Sequence, residues 1–148
     1  MWKIEFIDNI YDLYIRIHQT FISNKDGKPS SSAFKNTPKD GDNLSSDWSK
    51  YCTPKTSREL IGTQKKQDGT LKNPNLFYIW EMNVGEIRKD VSPTQSVNHD
   101  PIYNNPIIDG LPNNRAHAII IGDKPTNNAE FRVGLYKIGK WAIAPKED

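Results

Sequence analysis

Three histidines, His18, His99 and His117, are the side chains of this 148-residue sequence best suited to move a proton near neutral pH. Two of them fall within Val97–Gly122, VNHDPIYNNPIIDGLPNNRAHAIIIG. His99 sits beside Asp100 in a polar, proline-flanked stretch. His117 starts the most apolar run of the chain, with Arg115 placed on the same face of an expected strand and Ile119 and Ile121 beyond. The simplest reading of His117 is a half-buried strand histidine bonded to backbone, and His99-Asp100 reads as the more exposed pair. No two of the histidines, alone or with Cys52, show ligand spacing such as H-x-H, H-E-x-x-H or C-x-x-C. No phosphate-cradling loop, G-x-G-x-x-G or G-x-S-x-G stretch occurs either. Neither a metal nor a cofactor is expected.

Two patterns would give these residues a reaction. Ile17–Phe21, IHQTF, has the apolar-His-x-Thr-apolar form that two-histidine phosphoesterases carry twice, one His moving a proton while the hydroxyl holds phosphate. The second copy would be the run from Ala116, AHAII, which has Ile119 where a hydroxyl is needed. The order Arg16, then Ser45-Ser46, then Glu81 or Glu130 is similar to that of some ADP-ribosyltransferases, without their paired-glutamate setting. An enzyme of either kind would use Arg16, His18, His117 and Ser45 or Ser46, with His99 or Asp100 nearby. Such groups share a substrate only if Arg16 and the three histidines converge in one cleft within about 8 Å.

Cys52 precedes an expected helix start at Thr53-Pro54, an environment that lowers a thiol pKa. It has no base partner close in sequence, and as the single cysteine it excludes an intrachain disulfide. Trp48, Lys50, Tyr51 and Lys55 form an aromatic and basic cluster. It suits stacking on bases or contact with a protein, and it equally suits core residues anchoring a loop. Lys65-Lys66 and Lys137 with Lys140 read as solvated faces.

The totals limit the alternatives. Twenty basic against eighteen acidic residues leave a net charge of +2, too balanced to argue for nucleic acid or anionic lipid. Hydrophobic residues are only 35%, so long polar loops must surround a small core rich in large aromatics. No run is long and apolar enough for a membrane span, and the start lacks the features of a secretory signal, so a cytoplasmic location is expected.

The elements that must carry these side chains follow from periodicity. Tyr11, Leu13, Ile15, Ile17 and Phe21 alternate with Asp12, Tyr14, Arg16, His18 and Thr20, which predicts a strand. The preceding residues from Trp2 suit a helical turn or a short strand. Residues 22–43 read as loop, with Ala33-Phe34 dipping into the core. Residues 44–48 suggest a short strand or irregular segment. Thr53 caps a helix that Pro54 opens and Gly62 stops. Asp68-Gly69 marks a turn. Leu76–Met82 reads as a strand buried on both faces, and Asn83 with Glu86 caps a short helix. A long loop over 91–114 holds a short strand at Ser96–His99. Arg115–Ile121 is a strand, and Glu130–Ile138 is read as a helix, although Phe131, Val133 and Leu135 also alternate.

Five segments together resemble a group of small bacterial proteins that carries no assigned activity. They are LYIRIH from Leu13, SSAF from Ser31, LSSDWSKYCTP from Leu44, MNVGEIR from Met82 and NNRAHAIIIG from Asn113. The resemblance implies a bacterial protein, from loci often linked to defence or mobile elements, and transfers no catalytic residue.

The expected fold is α+β, a single compact domain over 1–148. It would hold a small mixed or antiparallel sheet of four or five strands, with two or three short helices and long polar loops. The leading functional expectation is a non-catalytic interaction or accessory protein of a larger complex, with another protein as partner and no membrane. Its surface would combine Arg16, His18, Ser45, Ser46, Trp48, Tyr51, His99, Asp100, Arg115 and His117. The alternative is a small enzyme acting on a nucleotide or phosphodiester, and a nucleic-acid accessory is a third reading.

Overall fold

The computed structural model describes residues 2–34, 43–103, 113–122 and 130–145. Among these, six strands form one sheet. They are β1 (Asp12–His18), β2 (Asn43–Trp48), β3 (Phe77–Asn83), β4 (Ser96–His99), β5 (His117–Ile121) and β6 (Gly139–Ile143). Their order is β4-β5-β2-β1-β3-β6, with every pairing antiparallel. Three helices accompany the sheet: α1 (Pro54–Glu59), α2 (Val84–Asp90) and α3 (Glu130–Ile138). This is an α+β fold, and no described helix is long and apolar enough to cross a membrane.

Alternation along the strands separates two faces. Leu13, Ile15 and Ile17 of β1 share one face with Trp80 and Met82 of β3, Leu44 and Trp48 of β2, and Ala118 and Ile120 of β5. Val84, Ile87, Phe131 and Leu135 from α2 and α3 complete this core, and Phe34 enters it from a 3₁₀ turn, Ser31–Phe34. Each such large side chain contributes roughly 1.5–3 kcal/mol on full burial. The opposite face carries Tyr14, Arg16, Ser45, Asp47 and His117. Helix α1 reaches it, and Thr53 and Thr56 cap that helix reciprocally.

One irregularity of the sheet matters most. β1 pairs with β3 along all seven of its residues, from Asp12↔Asn83 to His18↔Phe77. Its ladder with β2 holds only Leu13↔Trp48 and Tyr14↔Asp47. β2 meanwhile stays paired with β5 from Asn43 to Asp47. Beyond Tyr14 and Asp47 the two central strands therefore part, and a cleft opens between them.

Several local expectations change. Trp2–Ile10 forms neither helix nor strand. β1 stops at His18, and Gln19–Phe21 turns as a 3₁₀ helix that leaves Phe21 42% exposed rather than on the core face. α1 ends at Glu59, and Gly62 sits inside a following 3₁₀ turn, Leu60–Thr63, instead of stopping the helix. β6 is a sixth strand that periodicity did not mark. Gly139 opens it because a Cβ there would lie 1.9 Å from the Trp80 indole nitrogen. The expected loops over 22–43 and 91–114 lie partly outside the described residues, at 35–42 and 104–112.

Candidate functional site

Four neighbouring strands each bring one polar side chain to the same face. Asp100 follows β4, His117 opens β5, Ser45 lies within β2 and Arg16 within β1. His117 Nε2 is 3.3 Å from Ser45 Oγ, and His117 Nδ1 is 2.7 Å from the Asp100 carbonyl oxygen and 3.3 Å from Asp100 Oδ2. Arg16, Ser45 and His117 line the cleft of about 250 Å³ where β1 and β2 separate, together with Asn43, Ile61, Gln64 and Phe77.

The hydrogen bonds fix the roles. A carbonyl oxygen only accepts, so in the neutral ring His117 Nδ1 carries the hydrogen and donates it to Asp100. Nε2 is then the acceptor, and the Ser45 hydroxyl donates to it. The Asp100 carboxylate, largely exposed, stands beside the same Nδ1. A hydroxyl, a base facing it and a group orienting the base is the arrangement that activates a serine oxygen.

Arg16 is held from behind. Its Nη2 donates to Asp47 Oδ2 at 2.7 Å and its Nε to the Ser57 carbonyl at 2.9 Å. Nη1 makes no hydrogen bond among the described residues, and Arg16 lines the cleft. Asp47 is 2% exposed and accepts two more bonds, from the Ser57 hydroxyl and from Asn114 Nδ2 at 2.8 Å. A buried carboxylate with three donors is satisfied, and it sets the orientation of the arginine. Asp47, Ser57 and Asn114 escaped the sequence reading. The signal that would have found Asp47 is the period of two that places it on the face of Ser45.

Burial pushes the Cys52 thiol up to about 12, with the Asp47 charge acting in the same direction. The expectation of a lowered thiol pKa is corrected: the half-buried side chain lies near a carboxylate, and its Sγ contacts the Trp48 carbonyl oxygen at 3.5 Å. Tyr14, in the cleft wall, is likewise raised to about 12, first by burial and then by the charge of Glu81.

The other anticipated residues go elsewhere. His99 is 3% exposed on the core face, so its reading as the more exposed histidine is overturned. Its Nδ1 accepts the Glu5 backbone N–H at 3.0 Å, and its Nε2 donates to the Arg115 carbonyl at 2.7 Å. His18 ends β1 and caps the turn after it, accepting from the Thr20 N–H, while its ring packs edge-on against Phe77. The expected convergence of three histidines with Arg16 therefore fails, which removes the two-histidine arrangement; the set that does share the cleft is a different one, Arg16, Ser45 and His117. Ser46 is buried and donates to the Ala118 carbonyl. Trp48 is a core residue, and Tyr51 packs edge-on against it. Arg115 lies over the Tyr51 ring at 4.1 Å rather than beside His117. Neither Glu81 nor Glu130 lines the cleft, which removes the glutamate of an ADP-ribosyltransferase arrangement. Among the described residues no group of three or more His, Cys, Asp or Glu could hold a metal ion.

A second feature lies at the N-terminal segment. Ile4, Phe6 and Ile10 are 75%, 79% and 78% exposed. The segment is nevertheless pinned from within. Ile7 is 1% exposed, and the Glu5 carboxylate accepts from Lys50 at 2.7 Å and from the Tyr51 hydroxyl. These two donors hold the Glu5 carboxyl below its ordinary pKa.

No family model matches the chain, and neither the curated proteins nor the solved structures compared with it give a match.

Proposed function

We propose that the chain is a small enzyme acting on a phosphoester of the nucleotide or phosphodiester class, with Ser45 as the attacking hydroxyl. The observation that carries this reading is the Ser45 Oγ–His117 Nε2 hydrogen bond, with Nδ1 of the same ring tied to Asp100. In the first step Ser45 Oγ bonds to phosphorus and the bond from phosphorus to the leaving oxygen breaks. The serine proton passes to His117 Nε2 and from there to the leaving oxygen. Water, deprotonated by Nε2, then attacks phosphorus and releases Ser45 with its proton restored. Arg16, which lines the same cleft, would supply the charge that holds the anionic oxygens of the substrate. Release of 4-nitrophenol from bis(4-nitrophenyl) phosphate tests the reading. Turnover that falls to background in both Ser45→Ala and His117→Ala supports it, and turnover retained in either contradicts it.

A second reading, an interaction protein, is supported by one specific observation: three large apolar side chains, each more than 70% exposed, on a segment anchored by Ile7 and Glu5, with Arg88 lying over the Phe6 ring. Exposed apolar surface on a fixed support marks a contact site for another protein. Sedimentation with and without Phe6→Ser tests it. A self-association or complex that the substitution abolishes supports this reading, and a monomer that binds no partner contradicts it.

A further inference from the structure

A second recess shares no lining residue with the cleft. It measures about 440 Å³ and lies where the end of α3 meets β6, lined by Lys28, Trp80, Tyr136, Lys137, Gly139, Lys140 and Trp141. Its walls are aromatic. Tyr136 stacks on Trp80 with ring centres 6.1 Å apart, and Trp141 meets Trp80 edge-on at 5.1 Å. Both are held in place: the Trp80 indole N–H donates to the Leu135 carbonyl, and that of Trp141 to the Gly27 carbonyl. Gly139 keeps the floor open, because any side chain there would overlap Trp80.

The rim is cationic, and no carboxylate among the described residues lines the recess. Lys28 Nζ stands 5.7 Å from the centre of the Tyr136 ring, and Lys137 is exposed on the last turn of α3. Neither forms a salt bridge among the described residues. Lys140 lies opposite Glu81 in the strand register, so Lys28 and Lys137 are the ammonium groups with no carboxylate facing them among the described residues. The half-buried rings of Tyr136 and Trp141, backed by the buried Trp80, offer a surface to a flat ring, and the Lys28 and Lys137 ammonium groups favour an anion attached to it. We infer that this recess binds a base with its phosphate, as a free nucleotide or as one unit of a single strand. It is separate from the Ser45 cleft and does not depend on the reaction proposed there.

The four tryptophan indole N–H signals give the test. ADP and a short oligodeoxyadenylate are titrated separately into the full chain and followed by ¹H–¹⁵N spectra. The signals of Trp80 and Trp141 should shift and saturate while those of Trp2 and Trp48 stay still. Adenosine and inorganic phosphate should each bind at least tenfold more weakly than ADP. Lys28→Ala with Lys137→Ala should weaken binding tenfold or more and leave the remaining spectrum folded. Tighter binding of the oligomer assigns the ligand to a single strand, and tighter binding of ADP assigns it to a free nucleotide. If neither ligand moves Trp80 and Trp141, or if the double variant binds as well as the parent chain, the inference is overturned.

Discussion

Arg16 Nη2 lies 2.7 Å from Asp47 Oδ2, and this pair joins β1 to β2 just beyond the point where their ladder ends. Ser57 of α1 and Asn114 before β5 bond to the same carboxylate. One buried side chain thus ties two strands, a helix and a turn around the cleft. Asp47→Ala would leave the Arg16 charge, the Ser57 hydroxyl and the Asn114 amide without their acceptor. Removing one partner of a buried ion pair costs about 3–5 kcal/mol. Arg16 keeps some contact with water, so the expected loss is about 3 kcal/mol, at the lower end of that range. Urea unfolding of the two proteins measures it. A loss below about 1 kcal/mol, the scale of an exposed pair, would contradict the role given to Asp47.

The raised Cys52 thiol makes two linked predictions. At pH 8 the native chain should react with a disulfide reagent far more slowly than the unfolded chain, because the thiolate is the reactive form. The folded pKa of about 12 exceeds the ordinary 9.0, so the folded state binds the extra proton between those values. The corresponding stability is fully present below pH 9 and is lost as pH rises toward 12. Tyr14, raised from 10.0 to about 12, acts with the same sign over the upper part of that window. Unfolding curves across this range should show a decline that is shallower in Cys52→Ala. A decline of equal slope in both proteins would remove the thiol from the account.

The N-terminal strip predicts a contrast between neighbours. Phe6→Ser changes a side chain that is 79% exposed and should alter stability by about 0.5 kcal/mol or less. Ile7→Ala removes buried methyl groups and should cost about 2–5 kcal/mol. Thermal or urea unfolding distinguishes them. Equal losses would show that Phe6 packs against the fold rather than facing outward.

Much of the framework was legible in the sequence because local chemistry determined it. The alternation through Leu13, Ile15 and Ile17 marked β1. Thr53-Pro54 and Asn83 marked the starts of α1 and α2, since capping needs only neighbouring residues. β6 was not legible. The helical spacing of Phe131, Leu135 and Ile138 ran up to Gly139, and the reason for that glycine, the Trp80 indole, lies 59 positions away in the chain.

The candidate site was legible as residue types and not as geometry. Ser45, Asp100, Arg16 and His117 were all named, yet their alignment depends on a strand order that places β5 between β4 and β2. His99 shows the limit. Its strand buries Val97 and His99 and exposes Ser96 and Asn98, against the expectation of an exposed histidine. Only the Glu5 amide, 94 positions away, and the Arg115 carbonyl explain how a histidine is accommodated there.

Activation of Ser45 by His117 is the step on which the proposed reaction depends. A fluorophosphonate tests it most directly, since a serine oxygen that can attack phosphorus displaces fluoride and keeps the phosphonyl group. Intact mass followed by peptide mapping should find one adduct, on Ser45. Labelling should be lost in Ser45→Ala and slowed at least a hundredfold in His117→Ala, a typical contribution of a positioned general base. No adduct on Ser45, or an adduct formed equally fast without His117, would contradict the account.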